Sequence, residues 1–143
     1  MNPAESRVLN VLIVDDDEIT QFHASQLLMS IGHCRMAYTG MDAIARVEES
    51  IAAGEPYDLI LMDVVMPGLD GLTTVREIVK LFNDNRIPLE KRPKIVMLSS
   101  VDERDTQIDA LYACGADHYL LKPLDGNELV KALAELGLIS PPL

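Results

Sequence analysis

Tryptophan is absent from this sequence, and only two phenylalanines and four tyrosines supply aromatic surface. Any core is therefore built from Val, Ile, Leu, Met and Ala, the usual content of a parallel sheet covered on both faces. Cysteine is scarce as well. Cys34 and Cys114 form no CxxC pair and no Cys/His pattern, which excludes a zinc module and a disulfide framework. With no secretory pattern at the N-terminus, a reduced, cytoplasmic protein with two free thiols is expected. Basic residues are few: 12 Lys and Arg stand against 23 Asp and Glu, giving a formal charge of −11 and a pI near 4.5. Such a charge repels phosphate backbones and anionic lipid, so direct nucleic-acid binding is not expected. No apolar run approaches the roughly 20 residues that a bilayer requires, which sets a membrane role aside.

What is present is an alternation. Short apolar runs are expected as strands at Val8 to Val14, Arg35 to Tyr38, Asp58 to Met62, Lys94 to Leu98 and His118 to Leu121. Helical periodicity falls between them, at Ile19 to Ile31, Met41 to Ala53, Leu72 to Phe82, Glu103 to Cys114 and Asn127 to Leu136. Runs such as Leu59-Ile60-Leu61-Met62 do not alternate with polar residues, which fits strands covered on both sides. The expected architecture is α/β: a doubly wound parallel sheet of five strands with five helices. A single domain is expected over residues 8–136, with an N-terminal extension at 1–7 and a C-terminal tail at 137–143. The connection from Asn83 to Pro93 is longer than usual and reads as a tolerated insertion, its basic run of Arg86, Lys91, Arg92 and Lys94 as a solvated loop.

In open α/β sheets ligands bind beyond the carboxyl ends of the strands. The first strand ends in Asp15, Asp16 and Asp17, the third in Asp63, the fourth in Ser99 and Ser100, and the fifth in Lys122-Pro123. Carboxylates gathered in one place raise each other's proton affinity unless a cation intervenes, and a hard divalent ion such as Mg²⁺ takes one or two carboxylates plus water and phosphate oxygens. Asp17 reads as a helix N-cap. Ser99 or Lys122 alone would be an ordinary polar residue; together with the acids they form a set. The histidines His23, His33 and His118 are scattered and read as surface or strand-end residues.

Four segments carry a resemblance in order and spacing: VLIVDDD, DLILMDVVMPGLDG, IVMLSS and ADHYLLKP. Together they resemble the receiver domains of two-component response regulators over Val8 to Leu136. The resemblance implies the flavodoxin-like strand order 2-1-3-4-5. It implies that Asp63 is the phosphoacceptor, that Asp15, Asp16, Asp63 and the Val65 backbone carbonyl hold Mg²⁺, and that Ser99 and Lys122 bind phosphoryl oxygens. It also implies a cis Lys122-Pro123 bond, and a switch in which Ser99 and Tyr119 respond to phosphorylation and alter the face made by the fourth helix, fifth strand and fifth helix. The partners implied are a sensor histidine kinase or histidine phosphotransfer protein, and a downstream protein target of unknown identity. A monomer is expected, acting as a signalling domain and not as a conventional enzyme. Val65 and Val101 stand where many relatives carry polar side chains, which implies slow self-dephosphorylation.

Two other readings differ in class. Asp15-x-Asp17 after an apolar strand resembles the haloacid-dehalogenase-type phosphatases, in which Asp15 would be the nucleophile. A receiver-like interaction module without phosphorylation is the third.

Overall fold

The computed structural model describes residues 8–100 and 113–140. The strands are β1 (Leu9–Val14), β2 (Gly32–Ala37), β3 (Leu59–Asp63), β4 (Lys94–Ser99) and β5 (His118–Leu121). All pair in parallel in one sheet, in the order β2-β1-β3-β4-β5. Helices α1 (Glu18–Leu28), α2 (Gly40–Ala53), α3 (Gly71–Asp84) and α4 (Gly126–Glu135) follow β1, β2, β3 and β5. The helix expected at Glu103 to Cys114 falls almost wholly outside the described residues.

The side-chain period of two divides each strand between two cores. Leu12, Val14, Ile60, Met62, Ile95 and Met97 face α2 and α3. Val11, Ile13, Leu59, Leu61, Val96 and Leu98 face α1 and α4, meeting Leu28, Leu129 and Leu133. Every residue of β3 is buried, as a central parallel strand requires. Truncating one of its leucines to alanine costs about 2–5 kcal/mol. Cys34 packs with the α1/α4 core and Cys114 with the α2/α3 core, so the sheet separates the two free thiols. Burial pushes both thiols above their ordinary pKa. Among the described residues no helix is long and apolar enough to cross a membrane.

Each helix starts from a side-chain cap: Asp17, Thr39, Asp70 and Asp125 accept from backbone N–H groups of the first turn. These caps explain why α3 and α4 begin at Gly71 and Gly126, one residue before the apolar periodicity. The first helix stops at Leu28, short of the expected Ile31, and β2 starts at Gly32, earlier than the expected Arg35. The reason is register. Leu9 pairs with Gly32, and a Cβ at Gly32 would stand 2.7 Å from the Leu9 carbonyl oxygen, so this glycine opens a strand and does not end a helix. Gly54, with φ 69°, caps the carboxyl end of α2, which stops at the expected Ala53. The connection before β4 contains a 3-10 turn at Leu89–Lys91.

Candidate active site

The carboxyl ends of four strands meet where the sequence places its acids, hydroxyl and ammonium. Asp15 follows β1 directly and is fully buried; its backbone N–H still donates to the Ala37 carbonyl of β2, at 3.1 Å. Asp63 is the last residue of β3 and is 5 % exposed. Ser99 ends β4, is fully buried, and donates to the Ser100 carbonyl at 3.1 Å. Lys122 follows β5, its N–H donating to the Ser99 carbonyl at 2.8 Å, and its bond to Pro123 is cis as expected.

The side chains converge. Lys122 Nζ lies 2.9 Å from Asp63 Oδ1 and 3.1 Å from Asp15 Oδ2. Asp15, Asp16 and Asp63 each offer one carboxylate oxygen, and those oxygens lie within 4.8 Å of one another. Asp16 is exposed, so the cluster is open to solvent on one side. Asp17 lies outside it: its carboxylate accepts from the Ile19 and Thr20 N–H groups and from the Thr20 hydroxyl, which holds its pKa below the ordinary value. Its own N–H donates to Asp15 Oδ1 at 2.9 Å.

Electrostatics follow from this crowding. Burial pushes the Asp63 carboxyl up to about 6 against the pull of the Lys122 hydrogen bond, and the Asp15 charge adds to the rise. Burial acts to lower Lys122, but the hydrogen bonds and charges of Asp63 and Asp15 outweigh it and hold the ammonium above its ordinary value. Two buried carboxylates, Asp15 and Asp63, therefore share the Lys122 ammonium, with the exposed Asp16 beside them. That donor set, all hard oxygen, fits a hard divalent cation.

Val65 is 58 % exposed at the mouth, in the segment leading from Asp63 to α3. Gly71 is essential to that segment's path, because a Cβ there would overlap the Asp63 carbonyl oxygen. Tyr119 lies half-buried on β5, against the α2/α3 core. The pattern of acids did not point to Gln21. This buried residue sends Nε2 to the carbonyls of Ile13, Asp15 and Ala37, at 2.9, 3.1 and 2.9 Å, and so ties the ends of β1 and β2 where Asp15 leaves the sheet. The available signal was a polar residue on the buried helix stripe of Gln21, Ala24 and Leu28.

A family model, response regulator receiver domain, matches residues 11–134. The chain belongs to that family. Its relatives include a chemotaxis protein CheY of Treponema pallidum (strain Nichols), 31% identical over 126 residues that cover 88% of this chain and 81% of the relative. The transcriptional regulatory protein ZraR of Salmonella typhimurium is 36% identical over 87% of this chain, which spans only 25% of that protein's length. Among solved structures, the receiver domain of the histidine kinase CKI1 from Arabidopsis thaliana superposes with a TM-score of 0.77 at 26% identity, covering 92% of this chain and 91% of that one. This receiver domain is thus a signalling domain of the two-component type, and its cluster of Asp15, Asp16 and Asp63 suits a metal ion and an aspartyl phosphate.

Proposed function

We propose that this receiver accepts a phosphoryl group on Asp63 from the phosphohistidine of a sensor histidine kinase or histidine phosphotransfer protein. The observation that carries the proposal is the buried Asp63 carboxylate, 2.9 Å from the Lys122 ammonium and clustered with Asp15 and Asp16. Asp15, Asp16, Asp63 and the Val65 backbone carbonyl would hold Mg²⁺, which when bound neutralises charge on the phosphoryl oxygens and orients them. An Asp63 oxygen attacks phosphorus in line; the new P–O bond forms as the P–N bond to the donor imidazole breaks, and the bonding pair returns to the imidazole nitrogen. Lys122 and Ser99 bind oxygens of the arriving group, so Lys122 exchanges part of its contact with Asp63 and Asp15 for the new anion.

The mouth of the site suits a protein donor. Ile19 and Phe22 on α1, Tyr38 and Met41 at the start of α2, and Val65 are exposed large apolar residues at the same end of the sheet. A partner that covers them excludes water from the transfer. Phosphorylation then shifts Ser99 and Tyr119 and alters the face around β5 and the last helix, where a downstream protein reads the state. Such a chain acts in the cytoplasm as a switch, and promotes its own phosphorylation and dephosphorylation without turning over a separate substrate.

The test is incubation with acetyl phosphate, with and without Mg²⁺, followed by intact-mass measurement. The reading predicts one Mg²⁺-dependent phosphoryl group, lost in Asp63→Asn. Equal labelling of Asp63→Asn contradicts it.

A further inference from the structure

The buried stripe of α1 is Gln21, Ala24 and Leu28, and Gln21 is its one polar member. The amide is 1 % exposed and has left solvent. Nε2 meets three carbonyls, those of Ile13, Asp15 and Ala37, with two N–H groups to share among them. Oε1 is buried and has no hydrogen-bond partner among the described residues. An unmet buried acceptor destabilises a fold, and an apolar side chain in the stripe would carry no such cost. The amide is explained by the carbonyls that Nε2 holds.

Those carbonyls lie where β1 runs out toward the acids. Val14, opposite Ala37 and Met62, is the last paired residue of β1, so the Asp15 carbonyl lies past the ladder. Asp15 is held at every polar group. Its N–H donates to the Ala37 carbonyl at 3.1 Å, and its carbonyl accepts from Gln21 Nε2 at 3.1 Å. Its Oδ1 accepts from the Asp17 N–H at 2.9 Å and its Oδ2 from Lys122 Nζ at 3.1 Å. The Gln21 backbone N–H in turn donates to the Asp17 carbonyl at 3.0 Å.

Asp15, Asp17 and Gln21 thus close a ring of hydrogen bonds, and Asp16 is the middle residue of the turn inside it. Both carboxylates that cluster with Asp63 leave from this ring. An arriving cation competes with Lys122 for the Asp15 carboxylate. It does not compete for the Gln21 bond, which goes to the backbone carbonyl.

We propose that Gln21 is a positioning residue for the divalent cation: by fixing the turn from Asp15 to Asp17 it holds the Asp15 and Asp16 carboxylates at the spacing that a small ion needs. Mg²⁺ demands near-octahedral ligands at roughly 2.0–2.1 Å, whereas Ca²⁺ accepts irregular sets at roughly 2.3–2.6 Å. A fixed turn therefore favours Mg²⁺, and a loosened one loses that preference. The inference rests on the metal-site reading given above and adds to it the residue that sets ion preference. Gln21 touches no ion itself and acts through Asp15 and Asp16.

The experiment titrates the ¹⁵N-labelled full chain with MgCl₂ and, separately, with CaCl₂, following amide shifts in wild type, Gln21→Met and Leu28→Ala. Methionine keeps the length of the side chain and suits an apolar stripe, while Leu28→Ala loosens the same helix about two turns further along. Expected in Gln21→Met is a Mg²⁺ dissociation constant raised about 10-fold, the usual effect of losing a group that orients a metal ligand. The Ca²⁺ constant changes less than about 3-fold, because that ion tolerates irregular ligands. Leu28→Ala melts lower than wild type and keeps both constants within about 2-fold. Wild-type Mg²⁺ affinity in Gln21→Met, equal loss of both ions, or the same loss in Leu28→Ala overturns the proposal.

A second measurement needs no variant. If the Gln21 bonds favour Mg²⁺, then Mg²⁺ strengthens them by linkage, and saturating MgCl₂ slows hydrogen exchange of the Gln21 side-chain amide in wild type. Exchange unchanged by the ion overturns the proposal. The two readings fail separately: wild type that binds neither ion removes the metal site and this inference with it, whereas wild type that binds Mg²⁺ no better than Gln21→Met removes this inference alone.

Discussion

Lys122 and Asp63 stand 107 and 48 residues after Asp15, yet the Lys122 ammonium reaches Asp63 Oδ1 at 2.9 Å and Asp15 Oδ2 at 3.1 Å. The parallel register brings them together: Asp63 pairs across to Leu98, Ser99 to Leu121, and Lys122 is the next residue. Among the described residues, the ammonium is the one positive charge paired with both buried acids.

Removing it exposes the repulsion it screens. Lys122→Met should lower the rate of phosphorylation by acetyl phosphate by about 10²- to 10³-fold, the usual effect of losing a group aimed at a developing negative charge. Intact-mass time courses measure this. Circular dichroism of the same sample should show the helical content unchanged.

Asp63 makes stability depend on pH. Its folded pKa of about 6 lies above the ordinary carboxylate value, so the folded state holds the proton more tightly than the unfolded chain. This group's stabilising contribution is therefore present at low pH and lost as pH rises through about 6. The difference is on the order of 3 kcal/mol without metal. Asp63→Asn, which cannot ionise, should melt higher than wild type at pH 7.5 in a chelator, and the gap should shrink toward pH 5. A constant gap contradicts the cause given.

Asp16 separates metal binding from folding. It is exposed and engages none of the hydrogen bonds described for its neighbours, so Asp16→Asn should leave metal-free stability within about 0.5 kcal/mol. The rise in melting temperature that Mg²⁺ gives wild type should largely disappear in the variant, as calorimetric scans with and without the ion will show.

Gly71 carries a backbone prediction. A Cβ there overlaps the Asp63 carbonyl oxygen and lies 2.9 Å from Val64 Cα, so Gly71→Ala should cost about 2–4 kcal/mol in urea denaturation and slow phosphorylation by displacing Asp63.

The apolar Val65 bears on phosphoryl lifetime. It is 58 % exposed beside the site and offers attacking water no polar partner; Val101 lies outside the described residues. Decay of the aspartyl phosphate should be slower in wild type than in Val65→Asn with Val101→Glu.

Much of this was legible in the sequence, because a parallel sheet aligns strand ends and the residues at those ends are few. Asp15, Asp16, Asp63 and Lys122 come together, Ser99 ends the neighbouring strand β4, and strand order and the cis bond agree with the family resemblance. What stayed hidden depends on register and buried polar contact. The start of β2 at Gly32 is set by its approach to Leu9, which no local propensity encodes. Gln21 works through carbonyls of β1 and β2, groups that every residue has and that no motif marks. The run from Asn83 to Pro93 read as a tolerated loop because its order comes from Arg92 meeting Phe82, Ile87 and Asn83.

The most direct test of the central claim is to map the phosphorylated residue. After incubation with Mg²⁺ and acetyl phosphate, borohydride reduction of the acyl phosphate and peptide mass spectrometry identify the carboxylate that carried it. Modification at Asp63 is the predicted result; modification at Asp15, or none at any residue, contradicts it.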